Sequence, residues 1–226
     1  MGSDLLESDV FSRTAADGEI LSDGLYNLAM GLTLCWGFAV NWWMVKNIPV
    51  SAITGVDVRL FLLGYFASCL FGVYLFNKSK DPLVSFIGYN FVVVPFGLVL
   101  NVVVARYDPA LVLEAVRITG MVTVGMMVMG SLFPEFFRRI HTALTMALLL
   151  VIVIELVDIF ILHKQRGILD WVVVLIFCGY IGYDWGRANN IPKTLDNAVD
   201  SAAALYMDII NLFLRILRIL GRGRRR

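Results

Sequence analysis

Between residues 25 and 220 the chain is a succession of seven nearly uncharged apolar stretches, each close to the roughly 20 residues that a helix needs to cross about 30 Å of hydrocarbon. A backbone inside lipid must satisfy its own polar groups, so stretches of this length fold as helices. They are placed at 25–45, 60–76, 83–105, 110–131, 140–162, 168–185 and 198–220, with short polar turns between them. The expected fold class is all-α: a polytopic membrane protein of seven transmembrane helices. No repeat or low-complexity block divides it, so one transmembrane domain over 25–220 is expected. It lies between a flexible acidic N-terminal tail, 1–24, and a basic C-terminal tail, 221–226. Composition agrees, with 59% hydrophobic and only 16% charged residues, against roughly 25% charged in a soluble domain.

The charge pattern narrows the function classes. The net charge is +1, which gives no global field for nucleic acid, and the basic residues collect at segment ends. The tail 1–24 carries Asp4, Glu7, Asp9, Asp17, Glu19 and Asp23 against a single Arg13. A secretory signal begins with basic residues followed directly by an apolar core, and this tail has neither. Trp42 and Trp43 suit an interfacial aromatic belt. Pro95 is expected to kink the third span, and Pro109 to start the fourth helix. Cys35, Cys69 and Cys178 each lie in an apolar run without paired spacing and read as buried small hydrophobes. Gly120, Gly125 and Gly130 recur every five residues, not the four of a close helix contact, and are given no role.

Enzyme motifs are missing. His141 and His163 fall at opposite ends of the fifth span, roughly 33 Å apart at 1.5 Å per residue, too far to share a metal within that helix. The chain has no Gly-x-Ser-x-Gly elbow and no phosphate-binding loop opening on Lys and Ser/Thr. A membrane aspartyl protease would need paired aspartates on adjacent helices, which are present, but the glycine-aspartate motif of that class is absent because Asp184 follows Tyr183. No enzyme and no cofactor are expected.

Charges inside apolar spans carry the functional reading, because each costs roughly 2.5 to 3.5 kcal/mol on insertion scales and usually faces the bundle interior. Asp208, Asn211, Arg215 and Arg218 are spaced three, four and three residues apart, one polar stripe on an otherwise apolar seventh helix. A helix wholly surrounded by lipid would not carry that stripe, so this C-terminal helix is expected to be central in the bundle. Asp208 is either held statically by Arg215 or Asn211, or meets Asp184 at the end of the sixth span. Two carboxylates sharing a site cannot both ionise cheaply, so such a pair titrates as a unit and forms a proton switch. Deprotonated, the pair repels or attracts a divalent cation. Calcium suits carboxylate oxygens, whereas zinc would recruit His or Cys. Glu114 and Arg117, three apart in the fourth span, can neutralise each other. Glu114, Glu155 and Asp158 are candidate ion-path residues or members of internal ion pairs.

The run Ala204 to Phe213, with Tyr206, Asp208 and Asn211, followed by Leu214, Arg215, Ile216 and Leu217, resembles the terminal signature of the Bax inhibitor-1, or transmembrane Bax inhibitor motif, family. Tyr183 with Asp184 resembles the family's aromatic-aspartate pair closing the sixth span, and Leu113, Glu114, Ala115 and Thr119 resemble its fourth. The specific part of the resemblance covers about 170–220. It implies a pH-sensitive calcium leak in which Asp184 and Asp208 form a di-aspartyl sensor and metal-facing gate, closed when bridged. Calcium is then the transported ion, and the partners are the lipid bilayer, calcium ions, protons and other membrane proteins. Bacterial relatives carry an arginine cluster at the end of the second span. Here Asn77, Lys78, Ser79 and Lys80 stand there, so Lys78 and Lys80 become candidate sensor partners without arginine's bidentate geometry. Trp185, Gly186 and Arg187 replace a polar threonine-glutamine sequence.

A multi-pass integral membrane protein follows, with a prokaryotic plasma membrane favoured over an organelle. The alternative function is a non-conducting regulator that binds a membrane protease or death-pathway protein through its acidic tail.

Overall fold

The structure is a computed structural model that describes residues 19–162 and 167–223. His163, residues 1–18 of the acidic tail and 224–226 of the basic tail lie outside the described residues. The described chain is helical: α1 (Asp23–Asn47), α2 (Val50–Thr54), α3 (Val58–Lys78), α4 (Pro82–Val104), α5 (Pro109–Leu132), α6 (Pro134–Phe160), α7 (Gly167–Ala188) and α8 (Leu195–Gly223). Among them α1, α3, α4, α5, α6 and α7 are long and apolar enough to cross a bilayer, making this a multi-pass integral membrane protein. The seventh expected span, α8, has 29 residues but is amphipathic, and its charges keep it out of that set. The five-residue α2 was not expected, because a single turn has no periodicity to read.

Local chemistry sets the helix ends. The side chains of Ser22, Asp57, Asp81 and Asp108 accept from the first free backbone N–H groups of α1, α3, α4 and α5. Pro82 and Pro109 occupy first-turn positions, where no N–H is missed. Pro134 does the same for α6, so 134–139, expected as a loop, is its first turns. Helix α1 begins at Asp23, and the Leu21 N–H donates to Lys193 O at 2.8 Å. The tail therefore gains structure before residue 24.

The chain forms two compact units. The first comprises the chain to Arg106 together with Asn190–Ala204; the second comprises Tyr107–Asn189 and the chain from Leu205. Helix α8 thus gives its first turns to one unit and the rest to the other. In the first unit, α3 and α4 meet at Gly72 and Gly88, where a Cβ on Gly72 would lie 2.5 Å from Gly88 O. Buried Asn101 donates to Met44 O at 3.1 Å and Ile48 O at 2.8 Å, closing the end of α1. Ser85 donates to Asp196 at 2.6 Å, and the Tyr26 hydroxyl lies 3.1 Å from Ser201 Oγ, so this unit satisfies α8's early polar groups with hydroxyls.

In the second unit α7 packs on both α5 and α6. A Cβ on Gly130 would sit 2.3 Å from Gly182 O, so the α5 and α7 backbones touch there. Gly120 and Gly125 face open space within 4 Å. The five-residue spacing was therefore incidental, and one of the three glycines is a packing residue. Gly130→Ala is expected to lower stability by about 1–3 kcal/mol through overpacking, while Gly120→Ala and Gly125→Ala leave it unchanged. Thermal unfolding in detergent measures this, and equal midpoints for all three would refute the packing role.

The cysteines correct another expectation. All three are free thiols, but Cys35 is exposed and Cys69 and Cys178 are half-buried. In an apolar span the lipid-facing side is as hydrophobic as the packed side, so composition does not reveal which face a small residue occupies.

Candidate functional site

The second unit holds Asp184 near the end of α7 and Asp208 within α8. Their carboxyl groups lie within hydrogen-bonding reach of each other. Asp208 is 7% exposed, and its Oδ2 has no hydrogen-bond partner among the described residues. A carboxylate only accepts, so a carboxyl–carboxyl hydrogen bond exists only while one of the two carries a proton. A bridge of this kind is lost when the proton leaves.

Several elements position this pair. The Trp185 indole N–H donates to Ser131 Oγ at 2.7 Å, fixing α7 to α5 beside Asp184. The Tyr180 hydroxyl donates to Thr145 Oγ1 on α6 at 2.9 Å and lies within electrostatic range of both aspartates. Leu205, Tyr206 and Leu212, within four residues of Asp208 on α8, are fully buried.

The other candidates have surroundings of their own. Asn211 donates to Met207 O at 2.8 Å on its own helix. Arg215 is engaged elsewhere: Nη2 donates to Glu155 Oε2 at 2.9 Å, Nη1 also bonds Glu155, and Nη1 reaches Asp170 Oδ1 at 3.1 Å. Glu155 thus belongs to an ion-pair cluster. Arg218 approaches Asp170 at 3.2 Å and Arg222 bonds its other oxygen. Asp158 is 2% exposed on α6, and Glu114 and Arg117 are exposed on α5. Lys78 ends α3 and Lys80 lies in the turn before α4, both in the first unit.

Sequence reasoning overlooked Asp170. Arg215, Arg218 and Arg222 recur at spacings three and four on one helical face, and such a stripe in an apolar segment requires an acidic counterpart. It named Arg187 and His141 without these contacts: Arg187 interacts with Asp184 electrostatically from one turn further along α7, and the His141 ring stacks on Tyr183 at 4.1 Å.

Among the described residues no group of three or more His, Cys, Asp or Glu side chains is placed to hold a metal ion. Two carboxyls supply fewer oxygens than the 6–8 that calcium prefers.

Residues 23–225 match the family model Bax1-I, Inhibitor of apoptosis-promoting Bax1. The chain is 26% identical over 213 residues to an uncharacterized membrane protein of Vibrio cholerae, covering 92% of each chain. It is 30% identical over 155 residues to an uncharacterized protein of Helicobacter pylori, covering 65% of each. A BI1-like protein of Arabidopsis thaliana shares 53% identity over 51 residues, 22% of this chain and 19% of that one.

Proposed function

The chain belongs to the Bax1-I family, and on that premise we propose that it is a pH-sensitive calcium leak of the membrane, gated by Asp184 and Asp208. One observation carries the reading: two carboxyls on α7 and α8, Asp208 buried and Asp184 half-buried, within hydrogen-bonding reach of each other. Protonated, the pair joins the helices. Ionised, it repels itself or attracts a divalent cation, since like charges in a shared buried site disfavour each other strongly. Its gating proton and its attraction for calcium therefore reside in the same oxygens. Calcium is cargo here, and Asp158 on α6, 2% exposed, is a candidate contact along its path.

The test is calcium flux through purified protein in liposomes between about pH 6 and 8. A flux that changes with pH supports the reading. A parent protein that passes no calcium at any pH sinks the leak, leaving the regulator suggested by the family's description as an inhibitor of a death-pathway protein. Removing residues 1–18, ahead of the Leu21–Lys193 bond, separates the two: a leak keeps its flux, whereas a regulator working through its acidic tail loses its partner.

A further inference from the structure

We propose that Arg187, seated against Tyr183, is the counter-cation of the Asp184–Asp208 pair, and that His141 on α6 is the positioning residue holding it there. The inference rests on the sensor reading above.

Arg187 follows Asp184 by three residues and Tyr183 by four, so all three share one face of α7. Its Nη1 donates to the Tyr183 hydroxyl at 3.5 Å, and the guanidinium carbon lies 5.9 Å from the ring centroid, within cation–π range. Tyr183 is itself fixed from α6. The His141 ring stacks on it at 4.1 Å with planes 25° apart, and meets Tyr180 edge-on at 5.8 Å. The α7 face cannot turn away, because a Cβ on Gly186 would lie 2.8 Å from Gly130 O and one on Gly182 2.5 Å from Phe137.

Among the described residues Tyr180 and Arg187 interact with the pair, and Tyr183 and His141 form the stack beside them. Helix α6 gives His141, with Arg138 one turn earlier paired to exposed Glu135 at 2.5 Å. Helix α7 gives Tyr180, Tyr183 and Arg187, and α8 gives Asp208 itself. Helix α5 contributes Ser131, which does not titrate.

A fixed cation beside one member makes the pair unequal: negative charge belongs with Asp184 and the shared proton with Asp208. The cation also sets the pH at which that proton leaves, because it favours the ionised form. Without it the pair holds its proton to higher pH. His141 acts through the aromatic stack, so a flat ring can replace it and a methyl group cannot.

The pair is read directly by the infrared band of protonated carboxyls, titrated in proteoliposomes as parent minus Asp184→Asn, and in parallel by the midpoint of calcium flux. Arg187→Gln is expected to move the midpoint up by about one pH unit, and Arg187→Lys to keep it near the parent value. His141→Ala should shift it in the same direction by less, and His141→Phe should leave it in place. An Arg187→Gln midpoint equal to the parent's overturns the counter-cation. Equal midpoints for His141→Ala and the parent overturn the positioning role. The sensor reading fails separately, if Asp184→Asn and Asp208→Asn leave the band and the flux profile unchanged. A parent without flux removes the leak, and the infrared titration still decides on Arg187.

Discussion

Asp208→Asn is expected to fold and to flatten the pH profile of calcium flux. The amide has the carboxyl's shape, so the buried surroundings of Asp208, with Leu205, Tyr206 and Leu212 fully buried nearby, need no repacking. Its Nδ2 donates to the Asp184 carboxylate at every pH, replacing a bridge that depends on a proton with one that does not. One proton contributes about 1.4 kcal/mol per pH unit to any equilibrium that releases it. Between pH 6 and 8 the parent's gating equilibrium therefore changes by at most about a hundredfold, and the variant's by none. Asp208→Asn is the cleaner of the two substitutions, because Asp184 also faces Arg187 and its replacement disturbs that cation as well. The measurement is flux in proteoliposomes at several pH values. A variant with the parent's profile would remove Asp208 from the sensor.

Hydrophobic length made the helices legible. The expected 83–105 and 110–131 became Pro82–Val104 and Pro109–Leu132, because aspartate caps and prolines mark those ends chemically. The start of α6 was less legible, since the charged run around Arg138 reads as a loop although Pro134 opens a helix there. The division into two units was not legible either. It falls within α8, between Ala204 and Leu205, where the sequence continues without a break. Of the candidate site, Asp184 and Asp208 stood out because a charge in an apolar run is conspicuous. Their surroundings did not. His141 and Tyr183 are far apart in sequence, and an aromatic stack leaves no periodic trace. Arg215 remained one of two possible holders of Asp208, because helical spacing places both on one stripe but says nothing of what faces them from α6 and α7.

The acids that Arg215 does meet carry the largest expected loss of stability. Asp170 is 1% exposed and receives Arg215 and Arg218 at 3.1 and 3.2 Å and Arg222 at its second oxygen. Glu155 is the other acid of this cluster, chelated by Arg215. Removing one member of a fully buried charge group costs roughly 3–5 kcal/mol; here Asp170 is buried but the Arg218 and Arg222 side chains are 44% and 35% exposed, which places the cost at the lower end of that range. Asp170→Asn, which leaves three arginines on one remaining carboxylate, is expected to lose stability of that order. Exposed Glu135, paired to Arg138 with both side chains more than half exposed, should cost at most about 1 kcal/mol on substitution to Gln. Arg222→Gln combined with Asp170→Asn should recover part of the loss, since the pair is in contact and its effects are not additive. Unfolding of the purified variants in mixed detergent micelles gives all three values, and an Asp170→Asn variant as stable as the parent would refute the anchoring role. The cluster and the dyad share α8 but lie apart on it: Arg215 follows Asp208 by about 10 Å of helix rise. Asp170→Asn should therefore weaken the hold of α6 and α7 on the end of α8 while the pH midpoint of flux stays with Asp184 and Asp208. A midpoint displaced as far as in Arg187→Gln would instead make the arginine cluster part of the sensor.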